Sequence, residues 1–425
     1  MEVERLGEDS YLSQVVKLVE DAQASKSKTQ NLANRAAAWL FYLAVAAGIA
    51  TFSAWMVAGF GVDFSIVRMV TVMIIACPHA LGLAIPLVNA VTTSKSAKEG
   101  LLIRNRTAFE DGRRIDVLVF DKTGTLTKGE FGITDTSLTD DEDDLTLAAS
   151  LESYSEHPIA QGIYQAALDK GYKLSSPEDV DIIKGRGLTG TVQGKEVKVV
   201  SPGYMDENQL KIPDKEAFET WSDEGKTVVF VLIDDEVRGM IALADQIRDS
   251  AFEVVGELKK RHIEPVMLTG DNERVANWVA GQIGIERVFA EVLPHEKSEY
   301  VESLQQEGKR VGMTGDGIND APALAQADLG IAIGTGTDVA IETADIVLVR
   351  SEPRDVLALI DLSRKTYRKM VQNLWWATGY NIVALPLAAG VLYGIGIILT
   401  PAVGAVLMSL STIIVAINAQ LLRNA

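Results

Sequence analysis

Cysteine is nearly absent from this sequence. Cys77 is the single cysteine among 425 residues. A lone thiol excludes an intrachain disulfide, and it also excludes any metal module built from a C-x-x-C pair.

Positive charge is scarce relative to negative charge. The chain has 40 Lys and Arg residues against 58 Asp and Glu residues, which gives a net charge of -18. This balance argues against nucleic acid as a partner, because phosphate backbones are bound through Lys and Arg. It is compatible with local binding of a magnesium nucleotide. The first thirty residues are charged and lack an apolar core, so no signal peptide is evident.

Three long stretches contain no Asp, Glu, Lys or Arg. They are residues 36–62, 69–94 and 370–422. Because a bilayer core takes about 20 apolar residues, each of the first two predicts one spanning helix, with Asp63 and Arg68 marking the turn between them. The third is long enough for two more spans, separated by a turn from Gly394 to Pro401. Four spans place both ends of the chain on one side of the membrane.

Basic residues flank the uncharged stretches and predict their orientation. The positive-inside rule places such residues in the cytoplasm, together with the segment from about Lys95 to Lys369. Buried core helices are the alternative, and stretches above 25 residues disfavour it. The flanking residues are Lys26, Lys28, Arg35, Lys95, Lys98, Arg104, Arg106, Arg364, Lys365, Arg368 and Lys369.

A buried strand is predicted over residues 115–120, and it ends in the run D-K-T-G-T-L-T that begins at Asp121. An apolar, branched run that stops at an acid and a Gly/Thr turn places Asp121 at the carboxyl end of a sheet. Ligands bind at that edge in open α/β sheets. A carboxylate held there can attack phosphorus and carry an acyl phosphate. The alternative is an Asp that merely caps the next turn.

Strand-helix alternation resumes at Ile241 and predicts a parallel sheet with helices on both faces. Two further strands therefore end at the edge of Asp121. A Thr hydroxyl and a Gly backbone suit phosphate oxygens, Asp and Asn oxygens suit Mg²⁺, and a Lys can neutralise a transferring phosphoryl group. The residues in question are Thr269, Gly270, Asp271, Lys297, Asp316, Asn319 and Asp320.

An α+β stretch to about Met240 interrupts this pattern. Its acidic run, residues 140–144, is more typical of a solvated loop or a helix start than of a metal site. The imidazole of His157 can stack on or hydrogen-bond to an adenine, and the spacing of Gly185 and Gly187 lets backbone approach a nucleotide. Taken alone, these residues are typical of ordinary loops and turns.

The second uncharged stretch contains Cys77-Pro78-His79. Polar groups at membrane depth are functional by default. Pro78 removes a backbone donor and opens the helix, which frees carbonyls and lets both side chains turn inward. Thiolate favours soft or borderline ions such as Cu(I), and imidazole widens tolerance toward Cu(II) and others. The alternative is a packing Cys beside a helix-capping His.

The last uncharged stretch offers additional ligands. A thioether suits copper, and hydroxyls can complete or orient such a site. In isolation these residues are typical of helix contacts in membranes. They are Tyr380, Asn381, Met408, Ser411 and Thr412.

The motif at Asp121 resembles the phosphorylation motif of the P-type ATPases, pumps built on a haloacid dehalogenase-like domain. Phosphatases of that superfamily usually have a second Asp two residues after the nucleophile, and Thr123 cannot serve as acid or base near neutral pH. The aspartyl phosphate should therefore persist until a base arrives from elsewhere. The resemblance implies that the phosphorylated residue is Asp121, with catalytic partners Lys122, Thr123, Thr269, Gly270, Asp271 and Lys297, and Mg²⁺ near Asp121, Thr123, Asp316 and Asp320.

Further motifs resemble the heavy-metal class of these pumps. Glu152, His157, Gly185 and Gly187 match its ATP-binding signature, although Gly203-Tyr204 stands where the class often has Gly-Asn. Cys-Pro-His resembles the intramembrane motif of the copper-transporting subclass. That likeness implies a transported ion held by Cys77 and His79 with Tyr380, Asn381, Met408, Ser411 and Thr412.

The predicted fold class is a multi-domain membrane protein with four transmembrane helices, a haloacid dehalogenase-like α/β phosphorylation domain and an inserted α+β nucleotide-binding domain. The predicted domains are a linker from an actuator domain (1–35), two transmembrane helices with the Cys-Pro-His motif (36–94), the phosphorylation domain (95–127 and 241–369), the nucleotide-binding domain (128–240) and two transmembrane helices (370–425).

The resemblance predicts ATP-driven copper export with ATP and Mg²⁺ as cofactors, in the plasma membrane with the catalytic domains in the cytoplasm. The expected partners are the lipid bilayer, the copper ion and a metal donor. Only four of about eight expected spans and no actuator Thr-Gly-Glu loop are found, so the chain is expected to be a C-terminal portion that turns over poorly. Alternatives are a pump for Ag or Zn, a membrane-tethered phosphohydrolase and a nonenzymatic metal-binding fragment.

Overall fold

The computed structural model describes residues 28–316, 318–334, 342–350 and 352–424. The chain divides into two compact units. The first unit contains residues up to Ile115, Arg310–Gly312 and the chain from Leu324 onward, and the second contains Asp116–Lys309 and Met313–Ala323. Most of the predicted linker, residues 1–35, lies outside the described residues.

Helices and strands are numbered in chain order over the described residues. The helices are α1 Lys28–Val57, α2 Val62–Ile75, α3 His79–Lys98, α4 Arg106–Asp111, α5 Asp141–Glu152, α6 Pro158–Asp169, α7 Pro202–Glu207, α8 Lys215–Asp223, α9 Asp249–Lys260, α10 Glu273–Ile283, α11 Lys297–Gln306, α12 Ala321–Gln326, α13 Arg354–Thr378, α14 Asn381–Ala389 and α15 Pro401–Gln420. The strands are β1 Leu101–Ile103, β2 Val117–Asp121, β3 Thr127–Leu138, β4 Glu178–Ile183, β5 Gly187–Val192, β6 Lys195–Val200, β7 Thr227–Ile233, β8 Glu236–Ile247, β9 Glu264–Leu268, β10 Arg287–Phe289, β11 Val311–Gly315, β12 Leu329–Ile333 and β13 Ile346–Leu348.

Within the described residues of the first unit, three helical segments are long and apolar enough to cross a membrane. They are Thr29–Val57, Val62–Lys98 and Pro401–Arg423. The predicted third span, which begins at Met370, is divided between α13 and the nine-residue α14. Neither of these helices has the length and composition of a span by itself. The number of four spans therefore stays a prediction.

The turn between the first two predicted spans lies earlier than the charged residues indicated. Helix α1 ends at Val57, and Gly59 and Gly61 adopt positive φ angles of 83° and 77° before α2 begins. Positive φ is accessible to glycine without a steric penalty, so these glycines rather than Asp63 and Arg68 form the turn. Arg68 is buried inside α2 and donates a hydrogen bond to the Leu399 carbonyl at 2.7 Å.

The predicted opening of the helix at Pro78 is confirmed. Helix α2 ends at Ile75 and α3 begins at His79. Proline has no N–H to continue the helical ladder, and the freed Ile75 carbonyl accepts a hydrogen bond from the Tyr380 hydroxyl at 3.3 Å. The break thus brings a predicted ligand, Tyr380, next to the Cys-Pro-His segment.

A parallel sheet organises the second unit. Strand β2 pairs in parallel with β9 from Val117↔Glu264 to Asp121↔Leu268, and β9 pairs in parallel with β10. Strand β11 flanks β2 on its other side. Asp121 is the last residue of β2, and Thr269 directly follows β9, so the predicted shared edge is confirmed.

An antiparallel sheet forms the rest of the second unit, with strand order β3-β8-β7-β6-β5-β4. Helices α5 and α6 contribute to a core that includes Leu145, Leu151 and Ile163. A separate core around Phe230 and Met205 includes residues of α7 and α8. Strand β3 begins at Thr127 and β8 ends at Ile247. These strand ends do not coincide with the predicted limits of the nucleotide-binding domain at 128 and 240, so those limits stay predictions.

Candidate active site

Asp121 lies at the edge of the parallel sheet as the last residue of β2, and a wide turn over Lys122–Leu126 follows it. Gly124 has φ 74° in this turn, and a Cβ added there would lie 1.8 Å from Oδ2 of Asp316. The absence of a side chain at Gly124 therefore makes the space that the Asp316 carboxylate occupies. The run D-K-T-G-T thus shapes the surroundings of Asp121 as well as supplying it.

Three carboxylates converge at this edge. Asp121, Asp316 and Asp320 each offer an oxygen within 4.8 Å of the others. Asp316 follows β11, and Asp320 ends the short 3₁₀ turn that follows. Hard oxygen donors in this number suit Mg²⁺, and Gly124, which has no side chain, lets the Asp316 carboxylate join the cluster. Asn319 is exposed beside the cluster, and Thr123 is exposed in the turn.

Lys297 balances part of this negative charge. Its Nζ lies 2.5 Å from Oδ1 of Asp121 and 2.7 Å from Oδ1 of Asp320. Burial alone would lower the pKa of Lys297, but attraction to these two carboxylates outweighs burial and leaves the pKa raised. The side chain is therefore a fixed positive charge against the oxygen of Asp121.

The pKa of Asp121 is raised to about 7, mainly because burial disfavours its charged form. Repulsion by Asp320 adds to the effect, while Lys297 opposes it. Burial and Asp320 also raise the pKa of Asp316. Because these carboxylates lie so close together, they favour the binding of an additional cation at the edge of the sheet.

Lys122 and the segment after β9 form the opposite side of the turn. The Nζ of Lys122 lies 2.5 Å from Oδ2 of Asp271. Thr269 is buried, and its hydroxyl accepts a hydrogen bond from the Asp271 N–H at 3.1 Å. A Cβ at Gly270 would lie 3.3 Å from the Val292 carbonyl, a tight contact. The catalytic residues predicted from the sequence thus lie around one edge.

Two residues of this site were missed in the sequence. Asp245 accepts hydrogen bonds from the Thr127 hydroxyl at 2.6 Å and the Gly129 N–H at 3.0 Å. Arg248 donates to the carbonyls of Thr127 at 3.0 Å and Gly124 at 3.2 Å. Both hold the turn that carries Asp121. The available signal was two charged residues at the end of the apolar run of β8.

The predicted nucleotide contacts lie in the antiparallel part of the second unit. Glu152 is buried at the end of α5, its Oε2 has no hydrogen-bond partner among the described residues, and burial raises its pKa to about 7. His157 is exposed and caps α6, where its Nδ1 accepts from the Ile159 N–H at 3.3 Å. A buried acid without a partner is a plain candidate for a ligand contact.

The two glycines of the Gly-x-Gly pair differ in their surroundings. Gly185 has φ 69° and open space where a Cβ would point. Gly187 has φ 148°, and a Cβ there would lie 2.0 Å from the Val199 carbonyl on β6. Gly187 is therefore required for strand packing, and only Gly185 leaves room for a ligand. Gly203 packs on Arg186, which pairs with Glu207.

The predicted metal ligands of the first unit are only partly enclosed. Cys77 and His79 are both exposed among the described residues, and the expectation that they turn inward stays a prediction. The buried stripe of α3 passes through Ala80, Leu81 and Ala84 instead. Because His79 precedes this stripe and Cys77 lies in the helix break, neither is carried into the helix contacts.

The remaining predicted ligands differ in their hydrogen-bond partners. Asn381 is buried, and its Oδ1 has no partner among the described residues. The Ser411 hydroxyl donates to the Trp376 carbonyl at 3.1 Å, and the Thr412 hydroxyl donates to the Met408 carbonyl at 3.1 Å. Met408 is half-buried. These hydroxyls thus satisfy helix carbonyls in the described structure.

Comparison with known proteins finds a matching family model and similar individual proteins. The family model of haloacid dehalogenase-like hydrolases matches residues 115–328. The copper-exporting P-type ATPase B of Archaeoglobus fulgidus is 58% identical over 425 residues, which is 100% of this chain and 61% of that protein. The probable copper-transporting P-type ATPase B of Staphylococcus aureus is 49% identical over 427 residues, covering 100% of this chain and 63% of that protein.

A solved structure supports the same assignment. The crystal structure of a zinc-transporting PIB-type ATPase in the E2.Pi state aligns with a TM-score of 0.77 and 30% identity, over 99% of this chain and 69% of that one. The chain spans about three fifths of the length of the curated relatives above. It therefore belongs to the heavy-metal PIB class of P-type ATPases, whose catalytic domain is of the haloacid dehalogenase-like hydrolase family.

Proposed function

We propose that this chain carries the phosphorylation, nucleotide-binding and ion-binding parts of an ATP-driven copper exporter, with Asp121 as the phosphorylated residue. The observation that supports this most is the packing of Asp121 between Lys297 and two further carboxylates at the carboxyl edge of the parallel sheet. The site lies on a chain that also has helices of membrane-spanning length.

In this proposal each residue of the edge has a separate task. Oδ of Asp121 attacks the γ-phosphorus of ATP, ADP leaves, and an acyl phosphate remains on the chain. Lys297, held against Asp121, neutralises charge on the phosphoryl group. Asp316 and Asp320 with the Thr123 carbonyl hold Mg²⁺, which supplies positive charge to phosphate oxygens. Thr269 and Gly270 face the phosphoryl group, and Lys122 is held by Asp271.

Hydrolysis of the acyl phosphate is left to another group. Thr123 stands two residues after Asp121, and a hydroxyl does not act as a base near neutral pH. The other carboxylates of the described edge are paired with lysines or assigned to Mg²⁺. We therefore infer a long-lived phosphoenzyme, which suits a pump better than a phosphatase.

The nucleotide is assigned to the antiparallel part of the second unit. Glu152 supplies a buried carboxyl oxygen without a partner, and His157 presents an exposed imidazole at the start of α6. Gly185 leaves open space for backbone contact, while Gly187 acts through strand packing. The predicted division into a nucleotide-binding domain at 128–240 and a phosphorylation domain at 95–127 and 241–369 remains part of this proposal.

Copper is the proposed cargo. A thiol and an imidazole flank a proline that breaks a membrane helix, and such ligands suit soft or borderline ions. The curated relatives at 58% and 49% identity are named for copper. Zinc is the second candidate, because the aligned PIB-type structure at 30% identity is of a zinc transporter. Tyr380, Asn381, Met408, Ser411 and Thr412 complete the proposed ion path.

The proposal also includes the setting of the protein. The protein is placed in a lipid bilayer, with the second unit in the cytoplasm where ATP is available. Copper reaches it from a metal donor in the cytoplasm.

Phosphoenzyme labelling tests the proposal. The chain is incubated with γ-³²P-labelled ATP, Mg²⁺ and copper, quenched in acid and treated with hydroxylamine, which cleaves acyl phosphates. Label is expected on the parent chain before the hydroxylamine treatment and is expected to be lost after it, and Asp121→Asn is expected to carry no such label. Asp116→Asn is the matched control, because it makes the same change just ahead of β2 and should retain label. Equal label on Asp121→Asn would exclude Asp121 as the acceptor.

A further inference from the structure

A groove of about 520 Å³ opens in the first unit where α3 ends beside the last described turn of the chain. The residues of its wall that bear on its chemistry are Ala90, Val91, Lys95, Lys98, Glu99 and Arg423. None of them belongs to the proposed phosphorylation or ion path. The groove thus calls for an explanation of its own.

The wall of this groove is positively charged. Lys95, Lys98 and Arg423 face one carboxylate, Glu99, and that carboxylate is paired with Lys95 at 3.5 Å. The side chains of Lys98 and Arg423 make no hydrogen bond or ion pair with any other residue that the structure describes. On a chain of net charge -18, two cations from distant parts of the sequence that share a groove without a partner favour an anionic ligand.

The groove also has an apolar end. Ala90 and Val91 lie two turns before Lys98 on α3, which is about 12 Å along the helix axis. Both α3 and α15 belong to segments long and apolar enough to cross a membrane. The groove therefore changes from apolar to cationic along the end of a helix that belongs to such a segment.

We propose that this groove binds one anionic phospholipid, whose net negative head group lies between Lys98 and Arg423 and whose acyl chain lies along Ala90 and Val91. The helix dipole also favours Lys near the end of α3, but it does not account for Arg423 or for the apolar wall. A free phosphate ion would use the cations alone. The combination of both ends of the groove selects the lipid.

Native mass spectrometry of the detergent-solubilised chain tests this proposal. The chain is titrated with phosphatidylglycerol or phosphatidylcholine of identical acyl composition, and the affinity of the first bound lipid is measured. The parent should prefer phosphatidylglycerol by at least tenfold. Because each cation near an anionic surface contributes about fivefold in affinity, Lys98→Gln with Arg423→Gln should weaken phosphatidylglycerol binding roughly 25-fold and leave phosphatidylcholine unchanged.

Two control variants make the outcome specific. Arg368→Gln removes an exposed cation of α13 that does not line the groove, and it should change the affinity by less than twofold. Lys98→Arg with Arg423→Lys keeps the charge and should retain the preference. An equal loss in Arg368→Gln, no preference in the parent, or full displacement of lipid by inorganic phosphate would each overturn the proposal.

Discussion

Replacing Gly124 by alanine tests whether the space that this glycine leaves for the Asp316 carboxylate is required for phosphorylation. The added Cβ would lie 1.8 Å from Oδ2 and 2.8 Å from Cγ of Asp316. Since nonbonded heavy atoms keep roughly 3.5 Å apart, the Asp316 carboxylate has to move by more than about 1 Å. Misplacement of that size costs about 100-fold in rate at a catalytic site.

Gly129→Ala separates this effect from backbone strain. Gly129 has φ 73°, nearly the same as Gly124, but the nearest atom to its added Cβ is 3.9 Å away. Both substitutions place alanine in the left-handed region, which costs about 1–2 kcal/mol. They should therefore lower the thermal midpoint similarly, while only Gly124→Ala displaces a proposed Mg²⁺ ligand.

The assay is the rate of acid-stable phosphoenzyme formation from labelled ATP as a function of free Mg²⁺. Gly124→Ala should form phosphoenzyme about 100-fold more slowly and require more Mg²⁺ for half-maximal label. Gly129→Ala should keep the Mg²⁺ requirement of the parent. If both variants label alike, the space beside Gly124 has no part in the reaction and the proposed role of Asp316 is refuted.

Three further predictions concern the second unit. Burial raises the pKa of Glu152 from 4.5 to about 7, so its protonation favours folding below pH 4.5, and this contribution is lost as pH rises through 7. The free energy of unfolding of Glu152→Gln should exceed that of the parent by about 3 kcal/mol at pH 8 and should equal it at pH 4. Identical stability curves for the two chains would refute this prediction. Gly187→Ala should lower the melting temperature of the antiparallel part strongly, because its Cβ meets the Val199 carbonyl at 2.0 Å. Gly185→Ala should add only the strain of φ 69°, about 1–2 kcal/mol, and should weaken ATP binding; equal melting of both would contradict this. Arg248→Met removes two hydrogen bonds to the turn of Asp121, so phosphoenzyme formation should fall at least tenfold with ATP affinity unchanged, and an unaltered rate would remove Arg248 from the site.

The parallel sheet and the position of Asp121 were predictable because they depend on local patterns. An apolar branched run followed by an acid and a Gly/Thr turn specifies a strand end without reference to the rest of the chain. The helix break at Pro78 was predictable for the same reason, since a missing N–H acts on the adjacent turn. Family motifs then related Asp121, Lys297 and Asp316 to one another.

Features that depend on distant contacts were not predictable. Asp245 and Arg248 lie more than 100 residues from the turn they hold, and nothing in their own surroundings indicates that contact. Gly187 has a packing role because β6 lies against it, although the spacing predicted a ligand contact. The face of α3 that packs on neighbouring helices was also not predictable, because a uniformly apolar sequence does not specify that face.

The most direct test of the central claim measures phosphoenzyme formation at Asp121 as a function of copper in the parent chain and in Cys77→Ala with His79→Ala. If occupancy of the intramembrane thiol and imidazole controls phosphorylation, copper should raise the hydroxylamine-sensitive label in the parent and leave the double variant unaffected. Gly82→Ala, on the same helix with open space at its Cβ, should respond like the parent. Equal copper-dependent label in the parent and the double variant would contradict the coupling of the two sites.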